Sequence, residues 1–269
     1  YLAATEAQEQ EHRTRQNMEI QIDASRRFVV HRKDVVSSGY IDSVDKLRAS
    51  IDPTSALMAN RYHAVRRKIH DRILGIKKSE TGRFIVDPVE GRGILGTAME
   101  GAEYPTTTVS LPGAQTIAHG SARLTLAKLT EAQERLQLAD HGLEDDSDQL
   151  FALISPKQVT DLLNIAAATG SALNAFMQKQ LETGKPTMLM GMTWIVSNRV
   201  PYTAASGTAY RMIPVWSKKN VAAAFWEDIK GTMWQDTHVD NKPFQKVWAN
   251  LDATRHEDTG VVIIQCSEA

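Results

Sequence analysis

The chain of 269 residues carries 31 lysines and arginines against 32 aspartates and glutamates, a net charge of -1, and one cysteine, Cys266. That length suffices for one elaborate domain or two smaller ones with a substantial core, while the near-neutral balance argues against wholesale binding to nucleic acid or an anionic membrane. A lone cysteine excludes an intrachain disulfide and a thiolate metal site, and it fits a reducing compartment. No apolar run approaches the ~18 residues of a membrane span, and the opening YLAATEAQEQEHRTRQ lacks the apolar core of a signal peptide. A soluble, intracellular chain is expected, with residues upstream of Tyr1 absent from the sequence.

Residues 1–17 are polar and have too little apolar surface to offset the entropy of ordering, so they read as an arm or the outer part of a loop. Met18, Ile20 and Ile22 then alternate with Glu19, Gln21 and Asp23, and after Ala24-Ser25 the run RRFVVHRKDVV is a second β-rich segment. Together they predict a charged hairpin. An isolated two-stranded ribbon is marginally stable, so it must lean on its own domain or on another copy of the chain.

After the short amphipathic piece SVDKLRAS, residues 52–76 read as one helix. Asp52 is the N-cap, Pro53 holds the first helical position, and no glycine intervenes before Gly75. Met58, Tyr62, Val65, Ile69, Ile73 and Ile76 recur at steps of three and four, while Arg61, Arg66, Arg67, Lys68 and Arg72 lie mostly off that stripe. Such a helix spans roughly 35 Å, long enough to act as a spine.

The next stretch, residues 80–121, carries seven glycines and three prolines and predicts loops with short strands. Helical periodicity returns over 124–141, where Leu126, Leu129, Ala132, Leu136 and Ala139 align and Gly142 stops the helix. An acidic EDDSD segment leads to LFALIS, a short buried-type strand, and then to a capping box in which Ser155 is the cap, Pro156 follows and Gln158 is third. A further helix over 171–184 precedes a continuous buried strand over 188–196. Ser217 is expected to cap a helix containing Val221, Ala224, Phe225 and Ile229. Beyond it Val247, Ala249, Leu251 and Ala253 alternate with Trp248, Asn250 and Asp252 in a long strand, and VVIIQC closes the chain as a buried one.

Few residues point to catalysis. The run from Gly91 to Gly96 matches G-x-G-x-x-G, which cradles a pyrophosphate when it joins a strand to a helix N-terminus. Here Asp87-Pro88 separates it from the preceding strand and TAMEGAEYP is a poor helix, so a flexible loop is the plainer reading. His63 and His70, two helical turns apart, are too distant to share one metal and read as polar surface. A metal or acid-base cluster of His238, Asp240, His256 and Glu257 requires two extended segments to meet. Cys266 sits in an apolar strand, where cysteine is usually packing. Arg26-Arg27 and Arg66-Arg67-Lys68 can meet phosphates, though a solvated face or intersubunit salt bridges suit a near-neutral chain better. Trp194, Trp216, Trp226, Trp234 and Trp248 crowd the last third, where they can build a core or anchor subunit contacts.

The order of these elements, with ISPKQVTDLL, GMTWIVSNRVP, KNVAAAFWEDI and WANLDATRHEDTGVVIIQC, resembles the major capsid proteins of tailed bacteriophages over nearly the whole chain. Within that group it is similar to the phage capsid protein family, whose closing pattern stands here as Ala253-Thr254-Arg255-His256-Glu257-Asp258 and then Gly260-Val261-Val262.

The resemblance implies an α+β fold of the Hong Kong 97 type. Residues 1–46 would form the remnant of an N-terminal arm and an extended-loop hairpin at about 9–37. Residues 47–120 and 240–258 would form a peripheral domain with spine helix 53–76, and 121–239 with 259–269 an axial domain. It further implies hexamers and pentamers of an icosahedral virion shell, assembled in the host cytoplasm around non-specifically held double-stranded DNA. Portal, scaffolding or decoration proteins would be partners, and neither cofactor, metal, membrane nor enzymatic activity is expected. Arg26, Arg27 and Arg32 on the hairpin, and Arg66 and Arg67 on the long helix, are the expected intersubunit contacts. A cellular nanocompartment shell of the same fold is one alternative, and a nucleotide-binding enzyme using Gly91 to Gly96 another.

Overall fold

The computed structural model describes residues 26–41, 54–88, 91–101, 103–143, 148–168, 188–203 and 209–268. The polar arm, the hairpin's first limb at 18–23, the piece at 43–50, the Asp52-Pro53 cap, most of the acidic segment and the helix expected over 171–184 lie outside the described residues.

The long helix is α1, Thr54–Leu74. It lies across a three-stranded antiparallel sheet of β2 (Val35–Tyr40), β14 (Lys242–Arg255) and β13 (Val221–Asp236), in the order β13-β14-β2. The period-two face of β14 meets the helical stripe. Val247, Ala249 and Leu251, each no more than 1% exposed, pack with Val35 on Val65 and Ile69, flanked by Met58, Ile73 and Ile229. Burying a side chain of this size contributes about 1.5–3 kcal/mol. The spine helix therefore owes its place to this core more than to its intrinsic propensity.

A second body surrounds a sheet of seven strands. Its main path runs β7 (Thr116–Ile117), β15 (Val261–Ser267), β12 (Tyr210–Ser217), β8 (Leu150–Ile154), β10 (Met192–Val196) and β9 (Met188–Leu189), with β11 (Tyr202–Thr203) beside β12. Two pairings are parallel, β10 with β8 and β15 with β7. Helix α2 (Leu126–Gln137) contributes Leu129, Ala132 and Leu136, all fully buried, and α3 (Pro156–Ala168) contributes Val159 and Leu162. At the start of α3 the Gln158 side chain accepts from the Ser155 amide at 3.2 Å and from the Ser155 hydroxyl, so the capping-box residues do meet. Smaller sheets complete the chain: β1 (Arg27–Phe28) with β5 (Ala98–Glu100) and β6 (Thr107–Val109), and β3 (Ile76–Lys78) with β4 (Phe84–Val86).

Four expectations change. No helix follows Ser217: a 3₁₀ turn, Lys218–Asn220, leads directly into β13, the longest strand. The spacing of Val221, Ala224, Phe225 and Ile229 imitates a helical face, but the segment is rich in β-branched and aromatic residues and pairs with β14 from Val221↔Arg255 to Asp236↔Lys242. Ser217 instead donates its hydroxyl to Asp148 at 2.5 Å. The run over 188–196 is divided by a tight turn at Met190 (φ 54°) and Gly191 (φ 70°), the left-handed pair that a type I′ hairpin needs. RRFVVHRKDVV is not one strand either, since β1 pairs with β5 while β2 pairs with β14. Helix α2 stops at Gln137, and a left-handed Asp140 (φ 59°) precedes Gly142.

Candidate assembly interface

The segment between β1 and β2 is fastened along the face of β14 that points away from α1. Asn250 is 1% exposed and Asp252 fully buried, so this end of the strand's alternate, polar face is covered. The Asn250 amide donates to the Arg32 carbonyl at 2.8 Å and to the Asp34 carboxylate at 2.6 Å. Asp252 accepts from the Val30 amide at 3.1 Å and pairs with Arg92 at 3.4 Å and Arg32 at 3.5 Å. Burying a carboxylate is costly unless charge and hydrogen bonds compensate it, and two guanidinium groups supply that here.

At the end of β14 the fastening becomes a charge cluster. Arg27 reaches both oxygens of Asp258, at 3.0 and 2.9 Å, and the Arg255 carbonyl at 3.3 Å. Arg255, wholly buried, donates Nε to Asp258 at 2.6 Å and its other nitrogens to the carbonyls of Gly96 and Val109. Burial acts to raise the Asp258 pKa, but the two arginines outweigh it and hold the carboxyl below its ordinary value. The following turn rests on Asn220. Its side chain donates to the Glu257 carbonyl at 2.9 Å and accepts from the Glu257 amide at 2.7 Å, while its own carbonyl accepts from the His256 amide at 2.8 Å. Burial pushes the Glu257 carboxyl pKa up, against a hydrogen bond from Thr259 at 2.8 Å, and burial pushes the His141 pKa down.

The glycine-rich run is not the flexible loop expected. Two of its amides are committed to the end of α1, Ile94 donating to the Ile73 carbonyl at 3.0 Å and Leu95 to the Leu74 carbonyl at 3.1 Å. Ile94 and Leu95 are core residues. Gly93 has φ 101°, and a Cβ there would stand 2.2 Å from the Ile73 oxygen. Glycine is required for close backbone approach, so the run packs on a helix C-terminus, the opposite end from the N-terminus that a phosphate cradle uses.

The proposed acid-base cluster does not form. His238 and Asp240 lie in the β13-β14 turn, whereas His256 and Glu257 follow the other end of β14, a strand of 14 residues, about 45 Å away at ordinary strand rise. No metal-ligating cluster exists among the described residues, and no helix among them is long and apolar enough to cross a membrane. The tryptophans divide: Trp194 is core, Trp216 stacks on Phe151 and Trp248 donates to Glu227, while Trp226 and Trp234 are 42% and 43% exposed.

The five arginines fall on separate surfaces. Arg26 is exposed just before β1, Arg27 and Arg32 lie inside the fastening, and Arg66 and Arg67 are exposed on α1. Sequence reading missed Arg255, Asp258, Asp252 and Asn220. The only local signal was a dense alternation of polar residues in a strand that also had to be buried.

Solved structures share this architecture. The capsid of cyanophage P-SCSP1u aligns over 100% of this chain and 82% of its own at 14% identity and a TM-score of 0.62. The capsid of Ralstonia phage GP4 aligns over 99% and 81% at 13% identity and 0.63. The holo-SrpI encapsulin complex of Synechococcus elongatus PCC 7942 aligns over 91% and 74% at 10% identity and 0.54. No curated protein matches the sequence. At these identities the likeness establishes the fold, an α+β shell-protein fold of the Hong Kong 97 type.

Residues 2–268 match the phage capsid protein family, and the chain belongs to it. The family makes it a phage capsid protein, a structural subunit of a virion shell, built on the Hong Kong 97-type fold.

Proposed function

We propose that the chain is the repeating tile of hexamers and pentamers that close around double-stranded DNA. The observation that carries this reading is the uncovered face of the spine sheet. Tyr40, Phe244 and Trp234 pack as tilted rings in a row, with centroids 4.7 and 4.8 Å apart, and Tyr40 and Trp234 remain 45% and 43% exposed. Beside them β13 is an edge strand of 16 residues. Long open edges and exposed aromatic rows are interaction surfaces, and a second copy of the chain is the partner that symmetric closure supplies.

Two cores support a peripheral body built on α1 and β14, within 47–120 and 240–258, and an axial body built on the seven-stranded sheet, within 121–239 and 259–269, although Leu74, Ile76, Ile94, Leu95 and Ile117 join the axial core. The pairing of β13 with β14 draws residues 221–236 to the peripheral side. Arg26, Arg27 and Arg32 act at subunit contacts by presenting and holding the limb that precedes β2. Arg66 and Arg67 lie on α1, and their partner is argued below. Portal, scaffolding or decoration proteins join the shell in the infected host cytoplasm.

A cellular nanocompartment is the second reading, favoured by the likeness to the encapsulin complex. Particle contents decide between them. Nuclease-protected double-stranded DNA in purified particles is expected, and particles filled with a co-purifying enzyme would overturn the genome-enclosing role.

A further inference from the structure

The exposed side of α1 is a cation stripe. Over Thr54–Leu74 the helix exposes Arg66, Arg67 and Lys68, while Arg61 and Arg72 are half-buried and turned to the sheet, bonded to Gln245 and to the Leu251 and Lys33 carbonyls, and its one carboxylate, Asp71, is 5% exposed and bonded to Arg199 at 2.6 Å. The opposite side of the helix is the one sealed on the sheet through Val65 and Ile69. Exposed Arg66, Arg67 and Lys68, with exposed His63 and His70 on either side, therefore face away from the protein. His63, Arg66, Arg67 and His70 follow the i, i+3, i+4, i+7 spacing of one face, whose neighbouring Cβ atoms stand about 5–6 Å apart.

The other side of this body is mixed in charge. Beyond the sheet lie the Tyr40-Phe244-Trp234 row, the carboxylates of Glu227 and Asp236, and the ammonium groups of Lys230, paired with Glu227 at 3.5 Å, and Lys246, over the Trp248 ring. On α1, by contrast, the exposed cations have no exposed carboxylate of the helix beside them, because Asp71 is buried.

We infer that the α1 stripe is the surface by which the shell touches its cargo, binding the phosphodiester backbone of duplex DNA without regard to sequence. This rests on the genome-enclosing reading above and adds where the contact is made. Two adjacent guanidinium groups and an ammonium fit phosphate oxygens, the guanidinium as a planar fork and the ammonium as a point charge. Phosphate contacts position a protein on the duplex and carry no base readout, so binding by these groups is indifferent to sequence. Such contacts release counterions, so binding must weaken with salt by about 0.9 logarithmic units per phosphate neutralised for each tenfold rise.

The test uses the full chain and its triple variant R66Q/R67Q/K68Q, glutamine being a comparably good helix former. Both are assembled and imaged, and as unassembled subunits both are titrated with a fluorescent 30-base-pair duplex over a range of salt. The inference expects intact particles from both, with the variant's log-log salt slope shallower by about 2.7, three phosphates' worth. Equal slopes from chains that both form particles would overturn the helix stripe and leave the shell standing. Wild-type particles alongside a folded variant that cannot assemble would reassign the stripe to a protein neighbour. Polyglutamate displacing the duplex at equal charge concentration would likewise assign it to an acidic protein segment. Failure of the wild type itself to form particles would sink the reading beneath. If the triple variant misfolds, R66Q and K68Q singly must each flatten the slope by about 0.9, and unchanged slopes would refute the inference.

Discussion

Arg27 and Asp258, 231 residues apart in the chain, meet through two hydrogen bonds of 3.0 and 2.9 Å and join the limb before β2 to the turn that links the two bodies. The arginine side chain is 8% exposed and the carboxylate 18%, so the pair is shielded from salt and solvent. The same carboxylate neutralises the fully buried Arg255. Asp258→Ala thus leaves two guanidinium groups without their anion, and a loss of about 3–5 kcal/mol is expected in urea unfolding of the unassembled subunit. A loss below ~1 kcal/mol would show that the pair is ornamental. In a double-mutant cycle, Arg27→Ala and Asp258→Ala should be non-additive by about 0.5–3 kcal/mol.

Acid acts in opposite senses on two neighbouring residues. The Asp258 pKa is depressed below its ordinary 3.8, so its stabilisation is present at neutral pH and is lost only as pH falls through that lowered value. The Glu257 pKa is raised above its ordinary 4.5 by burial, so the folded state holds this proton more tightly than the unfolded chain does. Its effect is most favourable below pH 4.5 and fades as pH rises through the folded value. Glu257→Gln should therefore raise the Tm by a few degrees at pH 7 and leave it unchanged at pH 4. A drop at pH 7 would contradict this assignment.

Gly93→Ala separates the two readings of the glycine run. A methyl group forced to 2.2 Å from the Ile73 carbonyl, at φ 101°, must push the run off the end of α1. A loss of at least ~2 kcal/mol is expected. A variant as stable as the parent would mean that the close approach is not needed.

Lys128 is an internal anchor between α2 and the seven-stranded sheet. Its three N–H donors are shared among the carbonyls of His119, Ala122, Arg123 and Gln265, which stand at 2.8, 3.0, 3.1 and 3.1 Å, and burial lowers its pKa. Lys128→Met retains the stem but removes every donor, and each buried acceptor left unsatisfied costs about 1–3 kcal/mol. Thermal unfolding should fall by ten degrees or more, against little change if water replaces the ammonium.

Trp234→Ser tests the exposed aromatic row. The indole is 43% exposed and packs tilted against Phe244, so the subunit should lose no more than about 1.5 kcal/mol. The yield of closed particles should fall severalfold. Normal yield would remove this face from the assembly contact.

Features of the fold whose cause is local were legible in the sequence. Ser155 and Gln158 stand three positions apart and bond to each other, and the stripe of Val65 and Ile69 needs only a helix and a core to face. Features decided by distant partners were not. Val221 to Asp236 reads as helix or strand by spacing alone, and the edge of β14 settles it. Asn250 and Asp252 mark only a polar face until the limb with Val30 and Arg32 is laid over them. Arginines on a charged limb were legible as residue types, but the Asp258 that holds Arg27 within the chain was not.

The central claim is that the chain acts by closing on itself, and negative-stain electron microscopy of the purified full-length protein under native conditions tests it most directly. The account predicts closed shells with icosahedral outlines. A stable monomer or dimer at tens of micromolar, with no particles, would contradict it.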